Sequence, residues 1–183
     1  YVVDNFDVSF KVLMGGGLGT GGDGLSFCYG DLPDVEKFAT SKETSGLCVI
    51  LSTSEGHITS MYNGRILATH MVDVGVLRTG ETWGDVRILH DGSSLTVEYN
   101  KVVYMEAVEV SEWLVMPRWQ FGIAAHTGTT QKDNHWVDDV SIKSGAYHES
   151  MNVPLEISSN GQQFSITQVS FEYNLPSVVS SFF

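Results

Sequence analysis

The sequence predicts an all-β fold, a sandwich or jelly roll of two antiparallel sheets. Three observations predict it. Apolar residues recur at every second position along most of the 183-residue chain, the period of a strand with one buried face. Clusters of Gly, Asp, Asn and Ser interrupt these runs at regular intervals. No stretch of helical length carries an apolar stripe at helical spacing.

The elements follow in order. Phe6, Val8, Phe10 and Val12 alternate with Asp7, Ser9 and Lys11. Short strands of the same kind are LSFCYG, GLCVILS, HITSMY, RILATH, DVRILH, SLTVEYN, KVVYMEA, RWQFGIAA and HWVDDVSI, with turns such as YNGR between them. DVRILHDGSSLTVEYN reads as a hairpin with Asp91-Gly92 near its tip. LPDVEKFATSKET allows one short helical turn. Composition changes near Gly145-Ala146-Tyr147, beyond which VPLEISSNGQQF and ITQVSFEYN flank the turn Asn160-Gly161. A domain boundary is therefore expected between Ser144 and Met151, dividing residues 1–145 from 150–183.

Composition narrows the function classes. A hydrophobic content of 42% supports a packed core, and no apolar run approaches the ~20 residues of a membrane-spanning helix. A net charge of −12 with scattered Lys and Arg argues against nucleic acid or an anionic membrane as partner. The chain opens on Tyr1 without an initiator Met and closes on VVSSFF, so it is expected to be a piece of a longer protein. Cys28 and Cys48 both sit in strand-like runs. Neighbouring strands would allow a disulfide and imply an oxidising compartment; otherwise the two are buried thiols. No N-x-[ST] sequon occurs.

The stretch MGGGLGTGGDG, Met14 to Gly24, contains G-x-G-x-x-G from Gly17 to Gly22. A dinucleotide turn needs its third glycine at the start of a helix, whose N-terminus faces the pyrophosphate. Here the run leads into another strand, and no βαβ unit exists to hold a nucleotide. What remains is a strand connection able to approach a ligand or another chain closely, with Asp23 facing outward to bond sugar hydroxyls. A flexible hairpin loop with Asp23 capping a turn fits the pattern better on its own.

No catalytic constellation emerges. In Glu106-Ala107-Val108-Glu109-Val110-Ser111-Glu112 strict alternation puts Glu106 and Glu109 on opposite faces of a strand, unsuited to paired-carboxylate glycoside hydrolysis, and a solvated acidic edge is the better reading. His126, His135, Asp138 and Asp139 lie close in sequence, but no Ser sits on a strand–helix elbow, and adjacent Asp138 and Asp139 should point to opposite faces. His135 and Trp136 read as rim and core residues of the last sandwich strand. Trp83, Trp113 and Trp119 could stack on sugar rings, with burial the favoured reading.

GDGLSFCYG followed by GLCVILST, and later WQFGIAAHTGTTQKDNHWVDDVSI, resemble the concanavalin A-like, L-type lectin family. Its paired core strands read D-G-[LI]-A-F then G-L-x-[VI]-x-F-D-[ST], and its later strand–loop–strand reads F-G-[FI]-[SG]-A-x-T-G … H-x-[VI]. The resemblance covers roughly Phe6 to Lys143 and implies a jelly roll lacking its usual first strand. It implies sugar contacts from Asp23 and the neighbouring Gly24, from the N–H of Gly46, and from the loop Thr127, Gly128, Thr129 and Thr130 through Asn134. It also favours a Cys28–Cys48 disulfide. The family's calcium-binding carboxylate aligns with Ser52, leaving Glu55 and His57 as weak metal candidates. One Glu and one His cannot supply the 6–8 oxygens calcium requires, so no cofactor is expected and sugar binding is weakened. VPLEISSNGQQF … VSFEYNLPSVVSSFF resembles the closing strands of an IPT/TIG immunoglobulin-like domain and its linker, as repeated in large extracellular proteins.

The resulting expectation is a non-enzymatic extracellular or cell-surface module with a lectin-like fold, structural or adhesive in role. Its partners would be neighbouring domains or subunits. The alternative is a carbohydrate-binding domain acting through Asp23 and the rim loops.

Overall fold

The computed structural model describes residues 3–17, 19, 21–32, 45–127, 132–145, 152–157 and 169–172. Twelve strands and one short helix are defined among them: β1 (Phe6–Gly15), β2 (Gly24–Asp31), β3 (Ser45–Ser52), β4 (His57–Tyr62), β5 (Arg65–Met71), α1 (Val74–Leu77), β6 (Gly84–His90), β7 (Ser94–Tyr99), β8 (Val102–Glu109), β9 (Gln120–His126), β10 (Asn134–Ser144), β11 (Asn152–Ile157) and β12 (Val169–Glu172). A five-stranded sheet runs β10-β1-β6-β7-β8 and a seven-stranded sheet runs β12-β11-β9-β2-β3-β4-β5. All pairings are antiparallel except β11 with β9, which is parallel and extends the larger sheet at its edge.

Period-two patterning explains the sandwich. Along β1, Phe6, Val8, Phe10, Val12 and Met14 are each 3% exposed or less. They meet Leu25, Phe27 and Tyr29 of β2 and Leu47, Val49 and Leu51 of β3 in one core. Phe6, Phe27, Tyr29 and Phe121 form its aromatic centre, with ring centroids 4.4 to 6.1 Å apart, stacked, tilted or edge-on as the ring quadrupole favours.

Turn chemistry matches the sequence reading. Asp91 accepts from the N–H groups of Ser93 and Ser94 at 2.9 and 2.7 Å and from both hydroxyls. These bonds hold its carboxyl well below the usual carboxylate range and close the β6–β7 hairpin. Asn63 and Gly64 take φ of 48° and 75° between β4 and β5, the left-handed pair of a tight hairpin turn. The helical turn considered at 32–44 falls outside the described residues after Leu32. Among the described residues a short helix lies at α1, capped by Asp73 Oδ1 accepting from Gly75 N at 2.7 Å.

Four local expectations are corrected. A bulge in β8 sits at Ala107, with φ 47°, and breaks the alternation, so Glu106 and Glu109 are both solvent-exposed. A second bulge at Asp139, with φ 51°, likewise leaves Asp138 and Asp139 both exposed. His135 and Trp136 are reversed: the histidine is buried at 7% exposure and the tryptophan projects at 50%. Trp83 is 40% exposed rather than buried, while Trp113 and Trp119 are partly buried against the core.

Cys28 and Cys48 are directly opposed on β2 and β3, with Cα atoms 4.1 Å apart, and form a disulfide. It closes a loop of sequence separation 20, a span for which loss of the bond costs about 3 kcal/mol on the chain-entropy model. Cys28→Ser/Cys48→Ser is expected to lower unfolding free energy by about that amount in urea titration, with the fold retained.

His90 is fully buried between Phe6 and Trp113, with ring centroids at 5.5 and 4.0 Å. Burial pushes its pKa down, against the opposing pull of the Asp4 carbonyl and the Asp91 and Asp4 carboxylates. Burial likewise pushes buried His135 down. Both histidines bind a proton less well folded than unfolded, so the unfolded chain takes up more protons as pH falls through about 6.5. Unfolding free energy is therefore expected to decline between about pH 7 and pH 5, and a His90→Gln/His135→Gln variant to show a shallower decline.

Candidate functional site

Four segments meet at one end of the sandwich: the glycine-rich β1–β2 connection, the β3–β4 turn, the chain after α1, and the β9–β10 connection. Register brings them together. Gly15 pairs with Asn134, Gly24 with His126, and Ser52 with His57, while Gly80 N donates to Met14 O at 2.9 Å.

The glycine run is a close crossing of backbones. A Cβ on Gly17 would lie 1.8 Å from Lys132 O, and one on Gly21, whose φ is +144°, would lie 2.4 Å from Thr53 O. No side chain fits between these segments, which explains the density of glycine better than a flexible hairpin does. The loop approaches its own chain rather than a nucleotide.

Asp133 ties the crossing together. Its side chain is fully buried. Oδ1 accepts from Arg78 Nε at 2.7 Å, and Oδ2 accepts from Gly22 N at 2.8 Å. Thr53 Oγ1 lies 2.9 Å from Oδ2 and 2.8 Å from Gly22 O, with one proton to donate between them. Asp133 N donates to Thr127 Oγ1 at 3.0 Å, and Arg78 Nη2 donates to Gly17 O at 3.4 Å. Burial acts to raise the Asp133 pKa, but the Gly22 N–H, the Arg78 guanidinium and the Thr53 hydroxyl together hold it below the usual carboxylate value.

Above this knot lies a hollow of about 250 Å³ lined by Ala125, His126, Thr127, Asp133, Asn134, His135 and Trp136. Asp23 bonds His126 Nδ1 at its rim, both side chains roughly half exposed. Trp136 and Asn134 are exposed. His135 Nε2 is buried and has no hydrogen-bond partner. Burial, with His126 in support, lowers the His135 pKa against the Asp133 and Asp23 charges, so the imidazole is neutral near neutral pH.

Of the residues singled out in the sequence, the structure gathers Asp23, Gly24, Thr127 and Asn134 at this end. Gly128, Thr129 and Thr130 lie outside the described residues. Gly46 does not join them. It pairs with Gly30 at the opposite end of β2 and β3, about 20 Å along the strand from Gly24 at ~3.3 Å per residue. Its N–H is engaged by Asn63 Oδ1 at 2.8 Å. The motif aligned Gly46 by its local neighbours, whereas the register places it. His126, His135, Trp136 and Arg78 had no assigned site role in the sequence, and Asp133 fell within the Thr127–Asn134 loop without being singled out. The alternation in NHWV puts His135 and Trp136 on opposite faces, but not which of them faces in. Nothing local marked Asp133 in its polar loop as different from other turn residues.

No protein-family model matches the sequence, and no curated protein does. Solved structures do. The exoplasmic/lumenal domain of VIP36, in a form bound to Ca²⁺ and Man3GlcNAc, aligns with a TM-score of 0.57 at 17% identity over 81% of this chain and 71% of that one. Lectin I-B4 from Griffonia simplicifolia, in its metal-free form, gives 0.56 at 17% over 78% and 72%. Arcelin-5, a lectin-like defence protein from Phaseolus vulgaris, gives 0.51 at 16% over 76% and 70%. The fold is the concanavalin A-like sandwich of the L-type lectins. At these identities the likeness is one of architecture.

The calcium implied by that fold family does not suit the donors this chain presents. Among the described residues no group of three or more His, Cys, Asp or Glu is placed to hold a metal. Glu55 Oε2 and His57 Nε2 bond each other at 2.9 Å, and His57 Nδ1 meets Thr59 Oγ1 at 3.1 Å. Ser52 Oγ accepts from Glu55 N and faces Ser54 Oγ, both at 3.3 Å. The one fully buried carboxylate among the described residues, Asp133, is engaged by nitrogen and hydroxyl donors.

The crossing makes a direct prediction. Gly17→Ala is expected to lower unfolding free energy by about 2–3 kcal/mol, because its methyl must displace backbone. Gly80→Ala, where a Cβ meets nothing within 4 Å but φ is +73°, should cost only about 1 kcal/mol. Equal costs in urea titration would contradict the close-crossing account.

Proposed function

We propose that this chain is a non-enzymatic, lectin-like module that binds a glycan terminus in the rim hollow. The observation that carries this reading is the convergence of an exposed indole, Trp136, with the Asp23–His126 pair and Asn134 around one hollow. An indole face suits the C–H side of a pyranose. The polar groups around it offer both donors and acceptors for hydroxyls. At about 250 Å³ the hollow falls below the ~300–1,000 Å³ usual for drug-sized ligands, which fits one sugar unit at a surface better than an enclosed cofactor. VIP36, of the same fold, was solved with Man3GlcNAc.

The Cys28–Cys48 disulfide supports an oxidising setting, extracellular or within the secretory route. Residues 150–183 we assign to an IPT/TIG-like segment and linker, with the boundary between Ser144 and Met151, whose strands β11 and β12 are added to the larger sheet beside β9. A second reading, an architectural or adhesive module docked against other domains or subunits, is favoured by Ser52 standing where the fold family places a metal carboxylate.

A glycan array probed with the intact chain tests the first reading. Wild type should bind a defined subset, and Trp136→Ala and Asp23→Asn should each weaken binding by about tenfold, as loss of roughly 1.4 kcal/mol requires. A flat array removes the glycan reading and leaves the architectural one.

A further inference from the structure

We infer that the Arg78–Asp133 ion pair is the internal brace of the rim hollow, holding its loops in place without a divalent cation. This rests on the glycan reading only for its effect on binding; the brace itself is a property of the unliganded chain.

The geometry is that of a buried carboxylate ringed by hydrogen-bond donors, one of them a guanidinium. Asp133 is fully buried and would leave an uncompensated charge were Arg78 removed. Its two oxygens gather donors from three elements distant in sequence: Arg78 after α1, Gly22 of the glycine crossing and Thr53 of the β3–β4 turn. Arg78 reaches a fourth contact, Gly17 O, from its outer nitrogen. A divalent ion placed among loops would perform the same task, drawing carboxylate and carbonyl oxygens to one centre. Here the planar guanidinium does it with directed N–H bonds. The Thr53 hydroxyl, with one proton, lies within bonding distance of both Gly22 O and the carboxylate.

The consequence for the hollow follows from chain connectivity. Asp133 immediately precedes Asn134, His135 and Trp136, and its N–H anchors Thr127, the residue after His126. Gly22 immediately precedes Asp23. Fixing Asp133 therefore fixes both walls of the hollow. Arg78 and Asp133 are positioning residues: they act through Asn134, Trp136 and Asp23.

Amide hydrogen exchange on the intact chain, followed by NMR, tests the brace without any ligand. In wild type the Gly22 amide should be protected equally in EDTA and in millimolar calcium. Arg78→Met should accelerate its exchange by about tenfold or more, the loss of a hydrogen bond to a fixed charged group. Arg78→Lys, which keeps the charge but not the fork, should recover part of that protection. Amides of the core strand β1 should hold their protection in both variants, which separates loosened loops from general unfolding. Calcium-dependent protection of Gly22 in wild type, or unchanged exchange in Arg78→Met, would overturn the inference. On any glycan that wild type binds, Arg78→Met should raise Kd by about tenfold with no rescue by calcium. Rescue by calcium would overturn the inference, whereas a wild type that binds no glycan while the exchange results hold leaves the brace intact and removes only the glycan reading.

Discussion

A single buried carboxylate decides how the loops at one end of this sandwich come together. The Asp133 side chain is fully buried, with a guanidinium, an amide and a hydroxyl directed at it. A charge in that position is tolerable only when fully paired and bonded. The glycine crossing, the β3–β4 turn and the β9–β10 connection must therefore arrive together or not at all. The glycines are the steric half of the same constraint, because only bare backbone can pass between Lys132 and Thr53 at the distances found.

This constraint also links fold to function. Sandwiches of this kind leave their strand ends open, and what those ends do depends on how firmly the connecting loops are held. Here the knot beneath the hollow is polar, buried and saturated. The groups above it are exposed: the Trp136 indole and the Asp23–His126 pair. Rigid support below with unsatisfied chemistry above is the arrangement expected of a binding site whose loops must be ordered before the ligand arrives.

The sandwich itself was legible in the sequence because its period-two signal is local. Every strand from β1 to β10 coincides with a short strand-like run bounded by turn residues, and the Asp91 and Asn63–Gly64 turns carry their own chemistry. The cysteines were legible as a pair only once β2 and β3 could be set side by side. Bulges defeated the pattern at Ala107 and Asp139, since one inserted residue inverts the alternation beyond it. The alternation separated His135 from Trp136 correctly and gave no sign of which faces the core. Gly46 shows the limit of motif alignment: its local neighbours match, yet antiparallel register carries it to the far end of β3. Asp133 and Arg78 lay beyond reach for a related reason. They are 55 residues apart, and Gly22 is 111 from Asp133. Only the assembled topology reveals that these distant polar residues share one centre.

The most direct measurement is a pH titration of the Asp133 carboxyl carbon by NMR. With the guanidinium and the Gly22 amide in place, the account predicts a midpoint below that of an ordinary aspartate, unmoved by added calcium. A midpoint at or above the ordinary value, or one that shifts when calcium is supplied, would mean that the loops are held by something other than this pair.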